Sequence, residues 1–243
     1  MNLLKKLLNL IWYLVFPRTC SCCGKNMPLS AADNVCAQCL KTFPENNGLK
    51  CAVCSMPLKD GGEHCYDCKH SKIYFNLLKT PYIYKDNIKK LIHKFKYSQR
   101  LFLAKDLAGP VADLILKENW DKQADIIIPV PLHFIKKFLR GYNQTSLLAR
   151  EIAVKINKPF NEKIIVRKSY TKPQFGLNRN DRNENLKNSF SINKKYENIL
   201  KGKTILLVDD VATTCATANV CAELLKKSGA KKVLVIAIAR TEL

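Results

Sequence analysis

The sequence predicts an α/β protein, a mainly parallel sheet flanked by helices, with a small cysteine-rich module on its N-terminal side. Three observations predict it. Short apolar runs alternate with amphipathic helical patterns over residues 76–243, as in a parallel sheet covered on both faces. Eight of the 11 cysteines fall in four C-x-x-C pairs before residue 69. Residues 205–217 read I-L-L-V-D-D-V-A-T-T-C-A-T, an apolar strand ending in two carboxylates and a run of small, hydroxylated residues that opens a helix. The organisation expected is an amphipathic helix over residues 1–16, a cysteine module over 17–75 and the α/β domain over 76–243.

Residues 1–16, M-N-L-L-K-K-L-L-N-L-I-W-Y-L-V-F, are too few to span a bilayer as a helix, and no small-x-small cleavage site precedes the first cysteine pair. The reading is a helix docked by its apolar face on the rest of the protein, in a cytoplasmic chain with no secretion signal and no transmembrane span. Peripheral contact with a membrane surface is the alternative, since lysines and aromatics flank the run.

The four pairs are Cys20/Cys23, Cys36/Cys39, Cys51/Cys54 and Cys65/Cys68. Each C-x-x-C supplies two thiolates from one tight turn, and two such turns a dozen or so residues apart complete a four-cysteine zinc ribbon. Sequential pairing gives two Zn²⁺ sites, the first from Cys20, Cys23, Cys36 and Cys39, the second from Cys51, Cys54, Cys65 and Cys68. Interleaved pairing and disulfides are the alternatives. Four thiolates leave no open position for water, so both sites are expected to be structural. Cys22 reads as a spare or alternative thiol, and Cys221 as a core residue.

Residues 77–84 are strand-like, with Pro81 marking an edge or bend. Helical patterns follow at 87–97 and 101–118, a short apolar strand at 124–130, a helix at 145–157 and a strand at 164–167. The motif strand covers 203–209, its helix 214–228, and the last strand 232–239. Gly229 suits the end of that helix. Two polar segments interrupt the order. One holds Arg140-Gly141 in a loop between strand and helix, where a basic residue would face a pyrophosphate. The other, residues 167–190, is rich in Lys, Asn and Arg and has the composition of a flap closing over a ligand.

Asp209 and Asp210 are expected at the carboxyl end of a buried parallel strand, where ligands of open α/β sheets bind. Small side chains over 213–217 let backbone N–H groups curl round an anion, and the following helix adds its positive end. Neither G-x-x-x-x-G-K-[ST] nor G-x-G-x-x-G occurs, which argues against a triphosphate loop and a dinucleotide fold. The stretch resembles the phosphoribosyl pyrophosphate (PRPP) motif of type I phosphoribosyltransferases.

The formal charge is +21, divided unevenly: residues 1–75 carry an excess of +4 and residues 76–243 an excess of +17. A polyanion is the expected partner. The densest basic stretch holds Lys89, Lys90, Lys94, Lys96 and Arg100 among apolar residues at helical spacing, a candidate surface for contact with a phosphate backbone, with a solvated lysine face as the plain alternative.

Taken together, the paired C-x-x-C turns, I-P-V-P-L-H at 128–133, R-G-Y-N-Q at 140–144, T-K-P-Q at 171–174, Arg182, Asn185 and V-D-D-V-A-T-T at 208–214 resemble the ComF family, associated in bacteria with natural competence and DNA uptake. The resemblance implies a double zinc ribbon followed by a type I phosphoribosyltransferase-like domain. It implies that Asp209 and Asp210 contact the ribose hydroxyls of PRPP. Val211, Ala212, Thr213, Thr214, Cys215, Ala216 and Thr217 would form the loop around the 5′-phosphate, and Arg140 and Gly141 would meet the pyrophosphate with Mg²⁺ bridging. Thr171, Lys172, Gln174 and Arg182 would belong to the flexible loop. Catalysis, where it occurs, would rest on Asp209, Asp210 and Arg140. Two positions depart from the wider superfamily. Cys215 stands where glycine is usual, at a helix N-terminus expected to lower its thiol pKa. Thr213 stands where several purine-salvage enzymes have an acidic general base. Three functions follow as expectations: binding of PRPP and single-stranded DNA in transformation, phosphoribosyl transfer to an unidentified base, or a zinc-ribbon docking module for a competence helicase or recombination protein.

Overall fold

The computed structural model describes residues 17–31, 33–59, 61–132, 141–167 and 188–242. The expected helix over 1–16 lies outside the described residues, as do Arg140, Thr171, Lys172, Gln174 and Arg182.

The four C-x-x-C pairs form two ribbons on one plan. In each, the first pair sits in a hairpin turn closed by an antiparallel bridge, Thr19 with Asn26 and Lys50 with Pro57. The residue following the pair is left-handed, Gly24 at φ 77° and Ser55 at φ 54°, which turns the chain back sharply enough to aim both sulfurs at one point. The second pair is wound into a short helix, α1 (Ala37–Leu40) and α2 (Tyr66–His70), with Cys36 and Cys65 at the N-cap positions.

The expected strand over 77–84 is two pieces, β1 (Leu77–Lys79) and β2 (Tyr82–Ile83), broken at Thr80-Pro81, where proline has no N–H for the ladder. Helices α3 (Asp86–Tyr97), α4 (Leu103–Lys117) and α5 (Trp120–Gln123) lead to β3 (Ile126–Pro129). After α6 (Gln144–Lys155) come β4 (Ile165–Arg167) and β5 (Phe190–Ile192), then a 3-10 segment Lys194–Leu200. Strand β6 (Thr204–Ala212), helix α7 (Ala216–Lys227) and strand β7 (Lys232–Arg240) complete the chain. The main sheet runs β1-β7-β6-β3, with β2 also on β7, and every pairing in it is parallel. Strands β4 and β5 pair antiparallel as a separate small sheet.

Alternation along the central strands sorts side chains into two cores. Leu206, Val208, Leu234, Ile236 and Ile238 join α3, α4 and α6 on one face; Ile205, Leu207, Val233, Val235 and Ala237 join α7 and β5 on the other. The ribbons divide between these cores as well. Met27, Val35, Cys39 and Phe43 pack in the first, and Cys51, Cys54, Met56 and Cys65 in the second. Polar contacts fix the first ribbon to its helices: Asn34 donates from N and Nδ2 to the two oxygens of Asp106 at 3.2 and 3.0 Å, and Lys94 Nζ donates to the Ser21 carbonyl at 2.6 Å. Helix α7 ends as expected at Gly229, φ 91°, where a Cβ would come within 3.2 Å of Lys201 Cγ. Among the described residues no helix is long and apolar enough to cross a membrane.

Candidate functional site

The sulfurs of Cys20, Cys23, Cys36 and Cys39 lie within 4.8 Å of one another, as do those of Cys51, Cys54, Cys65 and Cys68. The pairing is therefore sequential. Cys23 and Cys36 sulfurs are 3.9 Å apart and Cys54 and Cys65 sulfurs 3.5 Å. Tetrahedral Zn²⁺ with Zn–S near 2.3 Å requires sulfurs roughly 3.8 Å apart, and a disulfide requires about 2.05 Å. Both sets fit a structural zinc ion, and all 11 cysteines are free of disulfides. Backbone amides orient the first set, since Cys20 Sγ accepts from the N–H groups of Cys22 and Cys36 at 3.4 and 3.3 Å. Cys22 stands outside it. Its thiol donates to the Asn87 carbonyl at 3.8 Å, which makes it a contact to α3.

At the far edge of the sheet, β6 runs three residues past its expected end, because the equally long β7 keeps pairing with it: Asp209 with Ala237, Val211 with Ala239, Ala212 with Arg240. The two carboxylates thus stand in the last turn of the strand and meet different surroundings. Asp210 turns toward α3 and α6. Lys96 Nζ lies 2.9 Å from its Oδ1 and Gln144 Nε2 donates to its Oδ2 at 2.8 Å. Asp209 accepts the Asp210 N–H at 2.8 Å, and burial first, then the neighbouring charge of Asp210, push its carboxyl up to about 7. The folded value lies above the unfolded one of 3.8, so between the two the native state holds a proton that the unfolded chain has released. Stability conferred by that proton is full below about pH 4 and falls as pH rises toward 7. Asp209→Asn is expected to flatten this fall, checked by urea unfolding at pH 5 and pH 8.

The turn after β6 forms a cavity of about 50 Å³ lined by Asp209 and Val211 through Ala218. Cys215 is left-handed at φ 59°, ψ 6° and sits at the N-cap of α7, so the first N–H groups of the helix lack intrahelical acceptors and face this cavity's rim. Thr214 Oγ1 accepts one of them, from Ala216, at 3.4 Å. The Cys215 thiol is buried at this helix end, and burial works against the lowered pKa expected for it.

A larger cleft of about 340 Å³ adjoins the cradle and shares Asp209, Val211, Thr213 and Thr217 with it. Tyr84, Lys96, Tyr97, Gln144 and Arg167 border the remainder. Gln144 Oε1 and Arg167 Nε are buried there without partners among the described residues. These two were not singled out from the sequence, although Gln144 follows directly on the cap of α6 within R-G-Y-N-Q. That string also contains Gly141 at φ 76°, and Asn143, which accepts the Thr145 N–H at 3.2 Å as the helix cap.

Helix α3 distributes its cations differently from a uniform basic face. Lys96 is inside the cleft, while Lys94 and Arg100 reach Ser21 of the first ribbon, Arg100 Nη1 at 3.3 Å from its Oγ. Lys89 and Lys90 stay exposed. Beside them, the His93 and Tyr97 rings lie 4.6 Å apart and tilted by 42°, and Tyr97 and Phe102 are 58% and 49% exposed.

The double zinc ribbon domain family matches residues 11–69, and the phosphoribosyl transferase domain family matches residues 130–241. Competence protein F of Haemophilus influenzae is 30% identical over 91% of this chain and 96% of its own length. DNA utilization protein YhgH of Escherichia coli K12 is 28% identical over 94% and 99%, and competence protein ComFC of Bacillus subtilis 26% identical over 83% and 81%. Among solved structures, a purine phosphoribosyltransferase from Pyrococcus horikoshii aligns at 19% identity and a TM-score of 0.37, over 56% of this chain and 84% of that one. With two four-cysteine centres ahead of a phosphoribosyltransferase-like sheet, and a relative of that identity matched nearly end to end, the chain belongs to the ComF family of competence proteins.

Proposed function

We propose that the protein binds PRPP, with Mg²⁺, in the cleft at the end of β6 and binds single-stranded DNA on its basic surface during DNA uptake. The observation that carries the reading is the cradle itself: a left-handed turn at Cys215, open helix amides and a threonine hydroxyl at one end, and Asp209 at the other, with Asp210 in the adjoining cleft. The amides suit a 5′-phosphate and the carboxylates suit ribose hydroxyls. The hard oxygen donors of Asp209 and the ligand's own phosphates suit Mg²⁺. Asp210 is already engaged by Lys96 and Gln144, so Asp209 carries the larger share of sugar contact. For DNA, Lys89 and Lys90 would meet phosphates, while Tyr97 and Phe102 would stack bases.

Calorimetric titration with PRPP and Mg²⁺ tests the first half. Asp209→Ala is expected to weaken binding by about 100-fold, in line with the loss of two charge-assisted hydrogen bonds. Affinity for wild type is expected to rise from pH 6 to pH 8 as Asp209 ionises. No binding at millimolar PRPP sinks the reading. DNA affinity that does not fall between about 50 and 200 mM salt sinks the second half.

A second reading, phosphoribosyl transfer to a base, is favoured by the spare volume of the 340 Å³ cleft beside the cradle. Thr213 cannot act as a base near neutral pH, so transfer would need a proton acceptor elsewhere. Pyrophosphate release on mixing PRPP with candidate bases discriminates the two.

A further inference from the structure

The interior of the α/β domain holds a guanidinium with no carboxylate within ion-pair distance among the described residues. Arg240, at the end of β7, is only 1% exposed. Its Nη1 donates to the carbonyls of Ala212, at 2.8 Å, and Thr213. Its Nε donates to the Cys54 carbonyl at 3.2 Å, and its Nη2 lies 3.8 Å from Cys54 Sγ. Ala212 and Thr213 are the residues through which β6 turns into the phosphate cradle. Cys54 is a ligand of the second zinc centre.

A buried cation is costly unless paired. Carbonyl oxygens meet part of the need here. The second centre meets the rest, because four thiolates around one Zn²⁺ leave excess negative charge a few ångströms from the guanidinium. Outer hydrogen bonds of this kind also orient metal ligands.

We infer that Arg240 is a positioning residue that makes the second zinc centre part of the phosphate site: the centre fixes Arg240, and Arg240 holds the cradle in its anion-binding shape through the Ala212 and Thr213 carbonyls. This rests on the sugar-phosphate reading of the cradle. Coupling between sites is reciprocal, so a ligand in the cradle must in turn stabilise the second centre and leave the first alone.

The test uses the zinc-loaded full chain, a zinc-selective chelator and a maleimide, with labelling of each cysteine followed by peptide mass spectrometry, with and without saturating ribose 5-phosphate. Labelling of Cys51, Cys54, Cys65 and Cys68 is expected to slow about fivefold or more, a modest coupling by general standards, while Cys20, Cys23, Cys36 and Cys39 keep their rates. Arg240→Met is expected to erase the protection, and Arg240→Lys, which keeps the charge but not the spread of donors across the two carbonyls and Cys54, carries the comparison if Arg240→Met does not fold. Calorimetric binding of ribose 5-phosphate with unchanged labelling overturns the coupling alone. Equal slowing at both centres overturns it too, since that reports general stabilisation. Absence of calorimetric binding overturns the sugar-phosphate reading and the coupling with it.

Discussion

Cys39→Ser is expected to lower the bound zinc from two ions per chain to one and to unfold the first ribbon together with the helices it covers. Structural zinc in small ribbons contributes on the order of 10 kcal/mol or more at neutral pH, against a total stability of about 5–15 kcal/mol for a domain. Cys39 is buried in the core that holds Ile88, Leu91, Phe95 and Leu107, so the damage does not stop at the ribbon. Serine in its place leaves three thiolates, an incomplete tetrahedron and a hydroxyl in an apolar setting. Metal analysis and thermal unfolding by circular dichroism check the outcome. Retention of two zinc ions with an unchanged melting temperature would refute it.

Lys96→Met is expected to destabilise the protein by about 3 kcal/mol, because it leaves Asp210 buried without its counter-charge. The two side chains are 18% and 10% exposed and 2.9 Å apart, so solvent screens the pair little. Adding Asp210→Asn, which keeps an acceptor for Gln144, is expected to recover most of the loss, and the double-mutant cycle on urea unfolding measures the coupling. A DNA-contacting Lys96 would behave otherwise. Its loss would leave stability nearly unchanged and reduce the salt slope of DNA binding by about one. A stability change under 1 kcal/mol would therefore return Lys96 to the nucleic-acid surface.

The contrast between Lys96 and Lys89 marks the limit of what periodicity conveys. Hydrophobic spacing located α3 correctly, because Ile88, Leu91, Ile92 and Phe95 form one buried stripe. It could not tell which of the flanking lysines would meet a carboxylate from β6, since that partner lies over a hundred residues away and is brought near only by the sheet. The zinc ligands were legible for the opposite reason. Both thiolates of each pair come from one turn, so spacing alone fixes the geometry. Pairing of the ribbons followed from short connections. Strand β6 and its loop were legible as an ordered string, while its overrun past Asp209 was not, because only the length of β7 decides it. Arg240 falls one residue past the last strand expected from the sequence, 232–239. Its burial depends on carbonyls contributed by two other segments. The antiparallel pair β4 and β5 was half seen: Ile165–Arg167 has the apolar run of a strand, whereas Phe190–Ile192 is too short to stand out.

The cysteine-rich segment leaves the ribosome before any strand of the main sheet, yet its two halves end up on opposite sides of that sheet. Each half, once loaded with metal, presents a preformed apolar surface to which later segments are recruited, helices α3 and α4 to the first and α7 to the second. Loss of zinc from either half is therefore expected to uncover one face of the sheet as well as the ribbon itself. A chain begun at residue 76 would be born with two uncovered greasy faces in place of one autonomous fold.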